Sequence, residues 1–318
     1  MAERRTYSVV LEMENANFID WDEVSVGLNA LAREIASVSE AGLARPTVII
    51  SHTGQPSDGD VLRGSFEAEA PRLGQVADLV FAACAGGRYY DLKNNGVLLT
   101  EADIVVFVDS DSVAEPGWLS GLLTPFKRPE TVCVNGYTYL LHDDFFSRTF
   151  ALLWFFPLAE GDKRFAAKRA LNANNIAFQR KWIASHPFPR HNGFKVSCTL
   201  TMHELWREGH KIVNTDARAY HYSPRGWRFF FWRAGDRQGR RSEIRRASRT
   251  WQGSAYRQII HALGDDVVAH AAARGESGAA DRDAGLANSL RSDCRPCVLY
   301  ARVSRPFQPG GRAGSRRA

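Results

Sequence analysis

The stretch VVFVDSDS at residues 105–112 is an apolar run that ends directly in two carboxylates, Asp109 and Asp111. Its four leading apolar residues predict a strand that is buried on both faces, as in a parallel sheet. Two carboxylates at the carboxyl end of such a strand can hold a cation that prefers oxygen ligands, and that cation can bridge a pyrophosphate. An isolated Asp-x-Asp pair is more often a solvated turn, so the surrounding sequence has to distinguish the two interpretations.

The sequence before this stretch alternates short apolar runs with helical patterns. A helix is predicted from near Asp20, because Val24, Leu28, Leu31 and Ile35 recur at helical spacing. Further crossover helices are predicted over residues 66–76 and 90–99, and strands over residues 8–11, 47–50, 79–81 and 104–108. This alternation predicts a doubly wound α/β domain whose chemistry lies in the loops at the carboxyl ends of these strands.

The second half of the chain adds more elements and then changes character. Strands are predicted over residues 131–141, 175–178 and 211–213, and a helix over residues 199–208 that Gly209 closes. From about residue 225 the sequence is aromatic and Arg-rich, and beyond about residue 264 its Ala, Gly and Arg content is typical of disorder. We predict an enzyme-like domain over residues 1–225, a basic aromatic helical extension over 226–263 and a disordered tail over 264–318.

The composition excludes several protein classes. The chain has 318 residues, of which 44% are hydrophobic and 24% charged, which is typical of a globular protein. No apolar run reaches the roughly 18–20 residues of a membrane-spanning helix, and the first residues lack the apolar core of a signal peptide. The five scattered cysteines match neither a disulfide framework nor a four-ligand zinc pattern. We therefore expect a cytoplasmic protein.

The charge is distributed unevenly along the chain. Residues 1–224 contain 22 Lys and Arg against 27 Asp and Glu, whereas residues 225–318 contain 19 Arg against 8 acidic residues. A basic tail can meet nucleic acid, anionic lipid or an acidic partner, or it can be a solvated extension. The tail lacks the regular aromatic spacing of a surface that binds single strands, so nucleic acid is the less favoured partner.

Several segments together resemble the family-2 glycosyltransferases, which are nucleotide-sugar enzymes of the GT-A fold. The resemblance rests on SVVLEMEN at residues 8–15, YDLKNNG at 90–96, DSD at 109–111, PGWL at 116–119, LNANNIAF at 171–178 and LWREGHKIV at 205–213 with AYH at 219–221. It covers roughly residues 7–225, and it implies a GT-A-like, Rossmann-like mixed sheet flanked by helices, with a short C-terminal helical extension.

The resemblance also implies a donor site for a nucleotide-diphosphate sugar. The metal ligands would be Asp109, Asp111 and His221, holding Mg²⁺ or Mn²⁺. The side chains that contact the donor would be Glu12, Asn15, His52, Lys93, Asn94, Asp109 and Asn174. A metal ion together with Lys93 would neutralise the charge that develops on the leaving diphosphate.

Two segments depart from the pattern of the family. SHTG at residues 51–54 stands where the family has an acidic stretch that recognises the base and ribose, and KVSCT at 195–199 stands where it has a Glu-Asp pair. The position of the usual general base is therefore occupied by Ser197. Glu204 and His203, one to two helical turns downstream, are the candidate substitutes, although a helix-surface carboxylate that faces water is the simpler interpretation of Glu204.

The implied activity is inverting transfer of a sugar to a hydroxyl acceptor, in cell-envelope polysaccharide or glycolipid synthesis. The apolar residues 145–156 and the basic aromatic residues 225–233 suggest a lipid-linked acceptor and peripheral contact with the inner face of the membrane. Two alternatives stay open. The first is a nucleotide-sugar-binding protein that has lost the general base, and the second is a nucleic-acid-binding protein that acts through its Arg-rich tail.

Overall fold

The computed structural model describes residues 5–17, 19–141, 145, 147, 148, 171–190 and 194–222. All of them lie within a unit that spans residues 1–252. The predicted domain boundaries near residues 225 and 263 fall outside the described residues and stay predictions.

Eight strands form one mixed sheet. In chain order they are β1 (Tyr7–Glu12), β2 (Thr47–His52), β3 (Asp78–Ala83), β4 (Ile104–Asp109), β5 (Ser112–Ala114), β6 (Cys133–Leu140), β7 (Asn175–Gln179) and β8 (Ile212–His221). Their order across the sheet is β3-β2-β1-β4-β7-β6-β8-β5. Strands β1 to β4 run parallel, and β7 pairs antiparallel with both β4 and β6. The predicted mixed α/β sheet is therefore confirmed.

Helices cover both faces of this sheet. The described α-helices are α1 (Trp21–Glu40), α2 (Asp58–Glu69), α3 (Pro71–Val76), α4 (Tyr89–Leu98), α5 (Trp118–Leu123), α6 (Arg180–Ser185) and α7 (Phe194–Arg207). Alternate residues of β1 and β4 point to opposite layers: Val9 and Val106 pack on the side of α1, whereas Val10 and Phe107 pack on the side of α4. This period of two gives each face of the sheet its own apolar core.

The first predicted helix is confirmed, since the four apolar residues that define its pattern, Val24, Leu28, Leu31 and Ile35, are all buried. The second crossover differs from the single helix predicted over residues 66–76. It is divided into α2 and α3, because Ala70, with φ −140° and ψ 50°, lies outside the helical region and Pro71 starts a new helix.

The later elements also differ in extent from their predictions. Helix α7 begins at Phe194, five residues before the predicted start, and ends as predicted near Gly209, whose φ is +79°. Strand β8 is ten residues long and ends at His221, whereas the predicted strand ended at Val213. The extension matters because it carries the last residues of β8 to the edge of the sheet where β4 ends.

Within the described part of the chain, no helix is both long and apolar enough to cross a membrane. The apolar stretch over residues 145–156 lies outside the described residues except for Phe145, Ser147 and Arg148. The basic aromatic segment over residues 225–233 and the Arg-rich tail lie wholly outside them.

Candidate functional site

Two carboxylates and an imidazole meet at the carboxyl ends of strands β4 and β8. Asp109 ends β4, and Asp111 follows two residues later. Ser112, the first residue of β5, pairs with His221, the last residue of β8. The backbone N–H of Tyr222 donates to the carbonyl of Asp111 at 2.9 Å, which holds the end of β8 against the Asp-x-Asp turn.

These three side chains fit a divalent cation. Ligand atoms of Asp109, Asp111 and His221 all lie within 4.8 Å of one another, and all three residues are buried. Nε2 of His221 is 3.1 Å from Oδ2 of Asp111, while its Nδ1 is 2.6 Å from the carbonyl oxygen of Tyr222. A ring whose Nδ1–H donates to a backbone carbonyl presents Nε2 as a ligand, and the oxygens of the two carboxylates suit Mn²⁺ or Mg²⁺.

Helix α4 brings a buried cation to Asp109. The Lys93 side chain has no solvent exposure, and its Nζ lies 2.5 Å from Oδ1 of Asp109. The hydroxyl of Tyr89 donates to Oδ2 of the same carboxylate at 2.8 Å, and its ring lies 4.6 Å from Nζ. The helix can approach this closely because a Cβ on Gly96 would lie only 2.5 Å from a methyl carbon of Val10 in β1. Lys93 thus faces Asp109, and this contact holds the Asp109 carboxylate in one orientation.

Strand β1 and the turn after it supply further polar groups. Nδ2 of Asn15 lies 3.3 Å from Oδ2 of Asp109 and 3.3 Å from Oδ1 of Asp111, so one amide links the two carboxylates. Glu12 pairs with Asp109 across the β1–β4 ladder, and it accepts a hydrogen bond from the backbone N–H of Glu14. The other carboxylate oxygen of Glu12 is buried and has no hydrogen-bond partner among the described residues.

The site concentrates negative charge where water is excluded. Burial raises the pKa of Glu12 well above its ordinary value, and repulsion from Asp109 adds to the rise. Burial also raises the pKa of Asp109, against the opposing effect of Lys93. Burial alone would lower the pKa of His221, but the Asp111 and Asp109 carboxylates and the backbone carbonyl of Tyr222 together more than offset it, so that pKa is raised. A divalent cation would relieve this repulsion.

Three other residues of the predicted donor site lie in different surroundings. His52 is buried at the end of β2, where burial lowers its pKa. Asn174 comes just before β7, on the side of the sheet where β4 ends, and its Oδ1 accepts from the hydroxyl of Thr138 at 3.2 Å. The Asn94 amide is engaged at both ends by the backbone of Phe188, at 2.8 and 2.9 Å.

The candidate general bases lie farther along helix α7. The Ser197 hydroxyl donates to the carbonyl of Pro189 at 2.6 Å, and Cys198 next to it lies 3.2 Å from the Tyr90 hydroxyl. Glu204 is six residues beyond Cys198, or about 9 Å along the helix axis. It is bound by Arg207 at 3.0 Å, and that hydrogen bond holds the pKa of Glu204 below its ordinary value.

The described contacts of Glu204 therefore belong to a different cluster from those of Asp109, and a lowered pKa makes its carboxylate a weaker base. His203 precedes it on the same helix and is partly buried. The assignment of either residue as the base stays a prediction.

Two residues at the site were missed from the sequence. Tyr89 donates to Asp109, and Glu14 accepts from the backbone N–H of Tyr89 at 2.6 Å. A signal for Tyr89 was present, because it precedes Lys93 by four residues and therefore shares its helix face. Glu14 gave no such signal, since its contact depends on how the turn after β1 meets the start of α4.

Residues 89–183 match the family described as Glycosyl transferase family 2. The chain matches no curated protein sequence. Among solved structures, it is similar to glucosyl-3-phosphoglycerate synthase from Mycobacterium tuberculosis in complex with Mn²⁺, uridine diphosphate and glucosyl-3-phosphoglycerate. The identity is 18% over 76% of this chain and 80% of that one, with a TM-score of 0.48. It is also similar to mannosyl-3-phosphoglycerate synthase from Rubrobacter xylanophilus, at 16% identity over 79% and 78% of the two chains, with a TM-score of 0.49. At such identities the likeness concerns the fold alone.

Proposed function

We propose that the chain is a divergent member of glycosyl transferase family 2, the family that its residues 89–183 match. We propose further that it transfers a sugar from a nucleoside-diphosphate donor to a hydroxyl acceptor. The observation that carries the proposal is the buried group of Asp109, Asp111 and His221, whose ligand atoms lie within 4.8 Å of one another at the ends of two strands. The transfer proceeds with inversion and uses Mg²⁺ or Mn²⁺.

The three ligands have separate tasks in this proposal. Asp111 and His221 would hold a divalent cation whose charge offsets that of the leaving diphosphate, and Asp109 would complete its coordination or contact the ribose or sugar. Asn15 links both carboxylates and so fixes the distance between them. These contacts place the ligands before the donor arrives, which lowers the cost of organising the site.

Lys93 and Tyr89 act through Asp109 in this scheme. Both contact its carboxylate, at 2.5 and 2.8 Å, and both are buried. They keep Asp109 in a single orientation and offset its charge while no cation is bound. Lys93 is thus a positioning residue, and its contact with the diphosphate of the donor stays a prediction. The same holds for the donor contacts of Glu12, His52, Asn94 and Asn174.

A second candidate function is nucleotide-sugar binding without catalysis. It is favoured by Ser197, which occupies the usual position of the base and donates its hydroxyl to the carbonyl of Pro189. An inverting transfer needs a base within reach of the acceptor oxygen, and the pKa of Glu204 is shifted in the wrong direction for that task. Measurable hydrolysis or transfer of the donor separates an enzyme from a binding protein.

The acceptor is proposed to be lipid-linked, and the protein to act in the cytoplasm at the inner face of the membrane, in polysaccharide or glycolipid synthesis. Phe145, at 60% exposure, supports an apolar contact there. Nucleic-acid binding through the Arg-rich tail would instead show as binding that weakens steeply with salt and is lost when residues 225–318 are deleted.

Calorimetry with UDP, GDP and their sugar conjugates, with and without Mn²⁺, tests the proposal. Asp111→Asn removes one ligand charge, while Asp60→Asn removes a carboxylate from the exposed surface of α2 and serves as the matched control. We expect binding that depends on Mn²⁺, is unchanged in the control and is at least about tenfold weaker in Asp111→Asn, since even outer-shell partners of a metal contribute that much. The absence of binding by the wild-type protein would contradict the proposal.

A further inference from the structure

A second group of potential ligands lies outside the donor site, where helices α6 and α7 end. His186 follows α6, Glu204 is in the last turns of α7, and Glu208 follows that helix directly. Their ligand atoms also lie within 4.8 Å of one another. Ligands of a tetrahedral zinc ion at about 2.0–2.2 Å are separated by about 3.4 Å, so the group needs only small side-chain movements to surround one ion.

The imidazole of His186 is held in the orientation of a metal ligand. Its Nδ1 lies 3.1 Å from the carbonyl oxygen of Trp182, and its ring stacks on the Trp182 indole at 4.6 Å. A ring whose Nδ1–H donates to a backbone carbonyl presents the lone pair of Nε2, and Nε2 of His186 points at Oε1 of Glu208, 3.1 Å away. Metal-binding histidines are typically oriented by a hydrogen bond of this kind.

A hydrogen bond from Trp182 also fixes the orientation of the Glu208 carboxylate. The indole Nε1–H of Trp182 donates to its Oε2 at 2.7 Å, which leaves Oε1 directed at His186. Gly209, with a φ of +79°, turns the chain so that Nε2 of His210 comes within 3.6 Å of Oε2 of Glu208. A fourth potential ligand, and the second nitrogen, is therefore within reach of the group.

The guanidinium group of Arg207 competes with a metal ion for these ligands. Arg207 donates to Glu204 at 3.0 Å and lies 3.7 Å from Glu208, but 58% of its side chain is exposed. An arginine held at the surface in this way can turn into water without a large cost, because exposed ion pairs contribute little to stability. The side chains of His186 and Glu208 are also partly exposed, at 27% and 28%, so an ion can enter from solvent.

We propose that His186, Glu204 and Glu208, with His210 nearby, form a binding site for a divalent cation of the zinc class. Two imidazoles and two carboxylates are a nitrogen and oxygen ligand set that such ions favour. The bound ion ties the end of α6 to the end of α7, and its binding energy stabilises the folded chain. The site is separate from Asp109 and its partners, and it does not depend on the function of the donor site.

The test uses the full chain, freed of metal, with ZnCl₂ as the only added ligand. Asp111→Asn serves as the background, because it removes one carboxylate from the other group of potential ligands, Asp109, Asp111 and His221. Isothermal titration then compares this background with variants that also carry His186→Ala, Glu204→Gln or Arg207→Ala. Circular dichroism and thermal unfolding report whether each variant folds, and the Glu204→Gln variant keeps the test valid if His186→Ala is unstable.

We expect the background to bind one zinc ion more than the His186→Ala variant, and the Glu204→Gln variant to bind that ion at least about tenfold more weakly. Arg207→Ala should tighten binding several-fold, because it frees Glu204, and zinc should raise the melting temperature of the background but not that of His186→Ala. Identical zinc isotherms in the background and in folded His186→Ala and Glu204→Gln variants would overturn the proposal. Weaker zinc binding by Arg207→Ala would overturn it as well, because Arg207 would then not compete with the ion for Glu204.

Discussion

Removal of the Lys93 ammonium by Lys93→Met is expected to destabilise the metal-free protein by about 3–5 kcal/mol, the cost of breaking a buried ion pair from one side. Lys93 is fully buried, and its Nζ lies 2.5 Å from Asp109, whose side chain is 3% exposed. Asp109 also repels the neighbouring Glu12 and Asp111, so its charge would lose its nearest partner in a place that water does not reach. Methionine fills a similar volume, which confines the change to the charge.

The assay is urea unfolding in EDTA, followed by circular dichroism. Lys127→Met, at an exposed position, is the matched control and should change stability by no more than about 0.5 kcal/mol. The double variant Lys93→Met/Asp109→Asn should recover most of the loss, because Asp109→Asn removes the carboxylate charge that Lys93→Met leaves without its partner. Mn²⁺ should stabilise Lys93→Met more than wild type, since the ion then meets the carboxylates without a competing cation.

A loss below about 1 kcal/mol in Lys93→Met would refute this reasoning, because it would mean that the ammonium is not needed to hold Asp109. A double variant whose loss equals the sum of the single losses would refute it as well, since the two groups would then be independent.

Three further perturbations test other parts of the structure. Glu34→Gln should lower the unfolding free energy in urea by about 1–3 kcal/mol, because its two carboxylate oxygens accept from the backbone N–H groups of Gly117 and Leu119 at 3.1 and 2.9 Å. Glu12→Gln should stabilise the metal-free protein at pH 7, and the gain should shrink as the pH falls towards 4.5 in urea titrations, because a raised pKa means that ionised Glu12 destabilises the fold. Gly96→Ala should lower the unfolding free energy by about 1–3 kcal/mol and weaken nucleotide binding in calorimetry, since the added Cβ would lie 2.5 Å from a methyl carbon of β1. For each of the three substitutions, unchanged stability would contradict the contact on which the prediction rests.

The strands and the acidic motif could be predicted because each consists of residues that are adjacent in the sequence. The run at residues 105–108 is buried throughout, and Asp109 follows it at the edge of the sheet. A doubly wound sheet requires its ligands at that edge, so local pattern and topology agreed. Residues 89–183 match glycosyl transferase family 2, the same family that the motifs resembled.

The partners of the predicted residues were harder to foresee. The donor contact of Lys93 stays a prediction, and the sequence did not indicate that its ammonium is buried on Asp109, where Gly96 lets helix α4 lie directly on β1. The role of Glu204 as the base also stays a prediction, and its pairing with Arg207 at the end of α7 was not foreseen. Both outcomes depend on how helices dock on the sheet, which involves residues far apart in the sequence.

The surroundings of Glu12 could not be read from the sequence either. Its burial follows from its position beside Asp109 in the ladder between β1 and β4, a register that no local pattern specifies. The consequence is a carboxylate with one oxygen lacking a partner among the described residues, next to a predicted metal site. Glu12 stays a predicted donor contact, and its burial beside Asp109 explains why its charge is costly.

The central claim is that Asp109, Asp111 and His221 form a metal-dependent nucleotide-sugar site, and the most direct test is calorimetric titration of the wild-type protein and Asp111→Asn with UDP and GDP in the presence of Mn²⁺. The account predicts binding by the wild-type protein that disappears in EDTA, is preserved in Asp60→Asn and is at least about tenfold weaker in Asp111→Asn. Equal affinity of wild type and Asp111→Asn, or binding that EDTA does not affect, would contradict it.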